Sequence, residues 1–288
     1  MQTASAARRA WTLYEPIHAI VYFAPESLER YREIGLRGGW MGYFASRSAA
    51  MGAVGPEVVI ATFHNFAPPM VRRALPDAWQ FSTPERVLQA RVDVVDSALR
   101  RLWGEDASGD DVAYAAGVLL DMAMGLHRDG RPLFAAHAAL EVPSAPHIAL
   151  WHACTLLREH RFDGHVAALT VHDVSGLEAH VVRVAAGDSV DAVTMRRFRG
   201  WTDEDWNAAA DRLRDRGILD RNDGLTEKGH ELLAGVEGVT DRLAAPPWDE
   251  LDAAARGRIL DVLLGLAQRL EAPGGLMYPN PVGVPRPG

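Results

Sequence analysis

The sequence predicts a mainly α protein made by tandem duplication of one domain of roughly 140 residues, its two halves packed as a pseudo-dimer. Three observations predict it. Segments recur in unchanged order at offsets between 135 and 147 residues: His18 with His165, Phe63-His64-Asn65-Phe66-Ala67 with Phe198-Arg199-Gly200-Trp201-Thr202, and 119–126 with 259–266 without a gap. Trp103 pairs with Trp248 in the same band. Apolar residues follow helical spacing, as Val112, Ala116, Leu119, Leu120 and Met122 do. Strand signals are scarce, and the one clear hairpin pattern follows Gly217.

In chain order, residues 1–24 read as a helix broken at Pro16, with 18–23 as a short apolar piece after the break. Pro25-Glu26-Ser27 opens a helix carrying Leu28, Tyr31 and Ile34, ended by the glycines from Gly35 to Gly39. Residues 41–50 and 58–63 read as helices separated by Gly55-Pro56, and Pro68-Pro69 starts a short one ending at Pro76. Thr83-Pro84-Glu85-Arg86 opens a long helix to about Trp103, because proline suits the first turn. Residues 110–126 form another.

The second half is more explicit. Thr202 caps a helix with acids in its first turn, and Gly217 ends it. Residues 218–221 then read as a strand, Asn222-Asp223-Gly224 as a turn and Leu225-Thr226 as the return strand, before a helix starting at Glu227. This helix, Gly-Ile-Leu strand, Asp-Gly turn, Leu-Thr-Glu-Lys-Gly and long helix resemble the winged-helix module of MarR-type regulators over about 195–241.

The whole chain also resembles a family of actinobacterial helix-turn-helix proteins of this length. The shared motifs are Glu15-Pro16-Ile17-His18, Leu150-Trp151-His152-Ala153, Leu157-Arg158-Glu159-His160-Arg161, Asp163-Gly164-His165-Val166 and Arg199-Gly200-Trp201. Phe162 departs from it, since a Gly is expected there, and narrows whatever the loop over 161–165 surrounds. The resemblance implies two winged-helix-like repeats, 1–140 and 141–288, in the manner of a two-fold dimer. The first repeat lacks an Asp-Gly turn between Trp79 and Thr83, a degenerate wing, and carries an insertion near residues 40–50.

Composition narrows the function classes. The 288-residue chain is 48% hydrophobic and 24% charged, which is globular. Its one cysteine, Cys154, excludes an internal disulfide and suits a cytoplasmic protein. No apolar run is long enough for a membrane span, and residues 1–9 lead into no apolar stretch of the secretory kind. Net charge of −8 disfavours nucleic acid as the main partner. The recognition-helix stretch 202–217 holds Asp203, Glu204, Asp205, Asp211 and Asp215 against Arg212, Arg214 and Arg216, which disfavours DNA further.

The candidate chemistry lies with the histidines and arginines. The repeat makes His18 and His165 equivalent, so a pseudo-two-fold brings them to flank one cleft. Glu15 beside His18, and Glu159 and His160 near His165, make a donor set suited to a divalent metal, and imidazole alone suits haem. Arg158 sits in the same stretch. Arg47 lies one turn from Tyr43 on an aromatic helix face, where a guanidinium anchors an anion, and Tyr22 belongs to that aromatic group. No P-loop, dinucleotide or nucleophile-elbow pattern occurs.

The expected function is binding of a small molecule, metal or haem between the repeats, through His18, His165, Arg47, Tyr22, Tyr43, Arg158 and His160. Glu15, Glu159, His18 and His165 are the metal candidates. The alternatives are a ligand-responsive DNA-binding regulator and an enzyme using the same His/Arg cleft.

Overall fold

Sixteen α-helices make up the architecture of the computed structural model, which describes residues 5–287 and is mainly helical, as predicted. Residues 1–4, part of the stretch read for a leader, and residue 288 lie outside the described residues.

Helix α1 (Ala6–Phe23) starts at Ser5, whose hydroxyl accepts the N–H of Arg8 at 3.2 Å. It runs unbroken through Pro16, which corrects the expected break. An interior proline costs about 3 kcal/mol. Burial of Leu13, Ile17, Ile20 and Val21, at about 1.5–3 kcal/mol each, outweighs it. The chain continues through α2 (Glu26–Glu33), α3 (Gly38–Ser48), α4 (Pro56–Phe63), α5 (Pro68–Ala74), α6 (Ala78–Phe81) and α7 (Pro84–Trp103). Thr83 caps α7 as expected, accepting from Arg86 N–H. Then come α8 (Asp110–Met124) and α9 (Pro132–His137).

Helix α10 (Pro146–Val171) is the axis of the molecule, packed by α1, α8, α9 and α14. It is buried on nearly every side over 147–161, which is why its apolar residues show no single stripe. Residues 161–165, expected as a loop, lie inside it. Helices α11 (Gly176–Ala185), α12 (Ala192–Arg199), α13 (Asp203–Asp215), α14 (Glu227–Ala244), α15 (Pro246–Asp249) and α16 (Ala253–Arg269) complete the order.

Gly200, left-handed at φ +76, ends α12, and Thr202 and Asp205 form a reciprocal capping box on α13. The two expected strands reduce to one antiparallel bridge between Leu219 and Leu225. The Asp220 carboxylate accepts the N–H groups of Asn222 and Gly224 and closes the turn. The return strand is only Leu225-Thr226 before α14 begins, too short to extend a ladder. In the first half, α6 fills the connection from α5 to α7, and no other bridge occurs among the described residues.

Buried side chains gather in one central core, two satellite lobes and a small cluster of Ala168, Leu169, Val174 and Val236. The core joins α1, the end of α7, α8, α10 and α16, so both ends of the chain share it. One lobe lies within Tyr31, Phe44, Phe63, Val71 and Leu75, the other within Leu177, Val181, Leu213 and Leu219. The lobes touch. Ala67 donates its N–H to the Arg199 carbonyl at 2.9 Å. A Cβ on Gly176 would fall 1.9 Å from the His64 carbonyl oxygen, so only glycine lets α11 come this close to the α4–α5 turn.

Candidate functional site

A cavity of about 180 Å³ opens where the lobes meet over α10. Trp11 and Glu15 reach it from α1, Tyr43 and Arg47 from α3, Arg158, Arg161, Phe162 and His165 from α10, and Arg199 from the end of α12. Arg183 and His180 of α11, Glu237 of α14 and the segment 281–283 close its other side.

Two ion-pair networks wall this space. Arg47 grips Glu159 at two points, 3.2 and 3.1 Å, with both groups buried. Arg158 bonds Glu159 at 2.9 Å and Glu15 at 3.2 Å, and the Trp11 indole donates to Glu15 at 3.1 Å. Burial pushes the Glu159 carboxyl up, but Arg158 and Arg47 together hold it well below the usual carboxylate range. Phe162 lies under both guanidiniums, 4.4 Å from Arg47 and 4.7 Å from Arg158. Arg161 pairs with Asp241 at 2.8 Å, Arg183 with Asp188 and Glu237, and Arg8 with Glu237 and Asp241.

Arg199 stands outside this pairing. Its Nη2 donates to the Pro281 carbonyl at 2.6 Å and its guanidinium lies 4.4 Å over Phe66, yet no carboxylate meets it and its buried Nε has no partner. Burial lowers it to about 10, and the hydroxyl of Tyr43 is the neighbour that opposes this. Six guanidiniums (Arg8, Arg47, Arg158, Arg161, Arg183, Arg199) therefore face five carboxylates (Glu15, Glu159, Asp188, Glu237, Asp241). The wall carries one surplus positive charge, at Arg199.

His18 and His165 are bonded alike but do not share the cavity. Thr155 donates to the Trp151 carbonyl at 2.9 Å, so the His18 Nδ1–H donates to Thr155 Oγ1 at 3.0 Å. Thr240 donates to the Val236 carbonyl, and the His165 Nδ1–H donates to it at 3.0 Å. His165 lines the cavity, whereas His18 lies within the core with its Nε2 unpartnered. Desolvation lowers His165 to about 4, and His18 well below its ordinary value.

Of the other residues singled out in the sequence, Tyr43, Arg47, Arg158 and Glu15 face the cavity. Tyr22 sits behind Tyr43, ring centroids 5.0 Å apart. His160 faces away, edge-on to Phe134 at 5.0 Å. Glu15 and Glu159 are already engaged by arginine. Among the described residues, no three His, Cys, Asp or Glu side chains come together as a metal site. Sequence reasoning missed Arg161, Arg183, His180 and above all Arg199. The signal for Arg199 was its place directly before Gly200 in the stretch 198–202, the counterpart of 63–67 in the expected duplication.

A model of the helix-turn-helix family matches residues 7–277. The chain belongs to the helix-turn-helix family. No curated protein and no solved structure matches it. In this helix-turn-helix protein, carboxylates hold three of the arginines on α12 and α13. Arg196 pairs with Asp203 at 2.7 Å, Arg212 with Glu178 at 3.0 Å, and Arg214 with Asp211 and Asp223. Asp203, Glu204 and Asp205 stand exposed at the start of α13. No described helix of the family member is long and apolar enough to cross a membrane.

Proposed function

We propose that this helix-turn-helix protein binds a small molecule in the cavity between its lobes. One observation carries the reading: Arg199 is buried at the cavity wall without a counter-ion, an arrangement that costs free energy unless a ligand completes it. An organic ligand fits better than haem or a divalent metal, because Glu15 and Glu159 are committed to Arg47 and Arg158. The test is mass spectrometry of small molecules released by denaturing the purified protein, beside a Val166→Trp variant that fills the cavity. The wild type should carry a molecule that the variant lacks. A wild type that carries none, and is stabilised by no member of a mixed metabolite library, overturns the reading.

A second reading, a ligand-responsive DNA-binding regulator, is favoured by the family and by the place of Arg199, one residue before the turn into α13. A ligand that takes hold of Arg199 acts on the hinge of the helix-turn-helix. The winged-helix, MarR-like character of the second half and the tandem repeat, 1–140 and 141–288, belong to this proposal. Its supports are a central core flanked by two lobes and a shared helix order: α1, α2, α4, α5, α7 and α8 against α10, α11, α12, α13, α14 and α16. Cytoplasmic residence is part of the same reading, since Cys154 is free and buried.

A further inference from the structure

The cavity does not end at its charged wall. A smaller cleft of about 30 Å³ lies against it between α10, α11 and α14, sharing His165, Leu169, Ala179, Arg183 and Glu237 as lining. Beyond that waist its lining is apolar: Val174, Val182, Leu232, Leu233 and Val236. At the waist, Arg183 and Glu237 neutralise one another at 3.2 Å, and His165, lowered by burial to about 4, is uncharged near neutral pH. A chain of methylenes passes such groups without stranding a charge.

We infer that the site takes an amphipathic monoanion, a carboxylate on an unbranched apolar tail, its head on Arg199 beside Tyr43, its tail along the main cavity and the tail's end at the side cleft. This rests on the small-molecule reading above and names the ligand class. The two adjoining spaces have opposite character. The head end carries one uncompensated positive charge, matching a carboxylate rather than a dianion, and Arg199 has an unfilled Nε to donate. Tyr43 stands 3.4 Å from Arg47 and adds a hydroxyl at the same place. The tail end has no unpaired charge in its lining, so a polar group there would lose its water for nothing.

The experiment is calorimetric titration with three probes: octanoate, acetate and octanol. Octanoate should bind, and acetate and octanol should bind at least about tenfold more weakly, because each lacks one end. Arg199→Gln should weaken octanoate by about tenfold or more, with Arg199→Lys and Tyr43→Phe weakening it less. Ala179→Leu, which narrows the waist, should weaken octanoate while leaving acetate unchanged. Circular dichroism verifies that each variant is folded, and Arg199→Lys with Tyr43→Phe carry the test if Arg199→Gln is not. Octanol binding as tightly as octanoate, octanoate binding untouched by the Arg199 variants, or no octanoate binding overturns the inference. A neutral molecule recovered from the cavity by denaturation would overturn it too, while leaving the small-molecule reading standing.

Discussion

Arg47 and Glu159, 112 residues apart in sequence, meet as a two-point ion pair in which neither group reaches solvent. The pair joins α3 to the central helix and carries one side of the cavity wall. Because Arg158 leans on the same carboxylate, Glu159 neutralises two guanidiniums at once.

Glu159→Gln should therefore be severe, costing about 3–5 kcal/mol by leaving buried arginines uncompensated. Arg47→Met alone should cost less, because Arg158 still holds Glu159. The double variant Arg47→Met/Glu159→Leu should recover part of the loss, although Arg158 then keeps only Glu15. Urea unfolding of the three proteins measures this, and a Glu159→Gln protein as stable as the parent contradicts the role assigned to the network.

Acidification should destabilise the protein well above the range where carboxylates titrate. Burial holds His137, His152 and His165 at about 4, and His160 and His180 at about 3. Unfolded histidine titrates near 6.5, so between these values the unfolded chain binds more protons and stability rises with pH. That stability is lost as pH falls from about 6.5 toward 4, by up to about 1.4 kcal/mol per pH unit for each group. Asp163, raised by burial to about 7, works in the opposite sense but is one group against five. Unfolding midpoints should drop steadily from pH 7.5 to 5, and a flat profile would show that these histidines are not held neutral.

His18→Ala and His165→Ala should be additive in thermal melts. Each removes a separate bond, to Thr155 and to Thr240, and each should cost about 1–3 kcal/mol by stranding a buried partner. Only His165→Ala should disturb a ligand, since only His165 lines the cavity. A large coupling energy between the two sites would mean they share a group after all.

Binding to DNA, if the protein retains it, should be weak and steeply salt-dependent, because Asp203, Glu204 and Asp205 face outward where phosphates would lie. Changing the three to Asn, Gln and Asn should strengthen binding to duplex DNA in a fluorescence anisotropy titration. Tight binding by the wild type that this change abolishes would show the acids to be contacts rather than repellents.

What the sequence by itself determined is local. The cap at Thr202, the stop at Gly217, the proline start of α7 and the helical period of α8 are set by residues within a few positions of each other, where backbone hydrogen bonds and apolar spacing act. Arg47 was legible as an anion anchor on its aromatic face, but its partner was not, because nothing near it in sequence marks Glu159. Pro16 misled for the same reason: its local cost is readable, while the burial of α1 that overrides it comes mostly from α10 and α16, more than a hundred residues away. Tertiary structure alone decided that His18 and His165, alike in sequence and in their threonine bonds, face different surroundings. It alone left Arg199 without a carboxylate, since compensation of a buried charge depends on which distant chain segments fold against it, and here the Pro281 carbonyl, the Tyr43 hydroxyl and the Phe66 ring arrive instead.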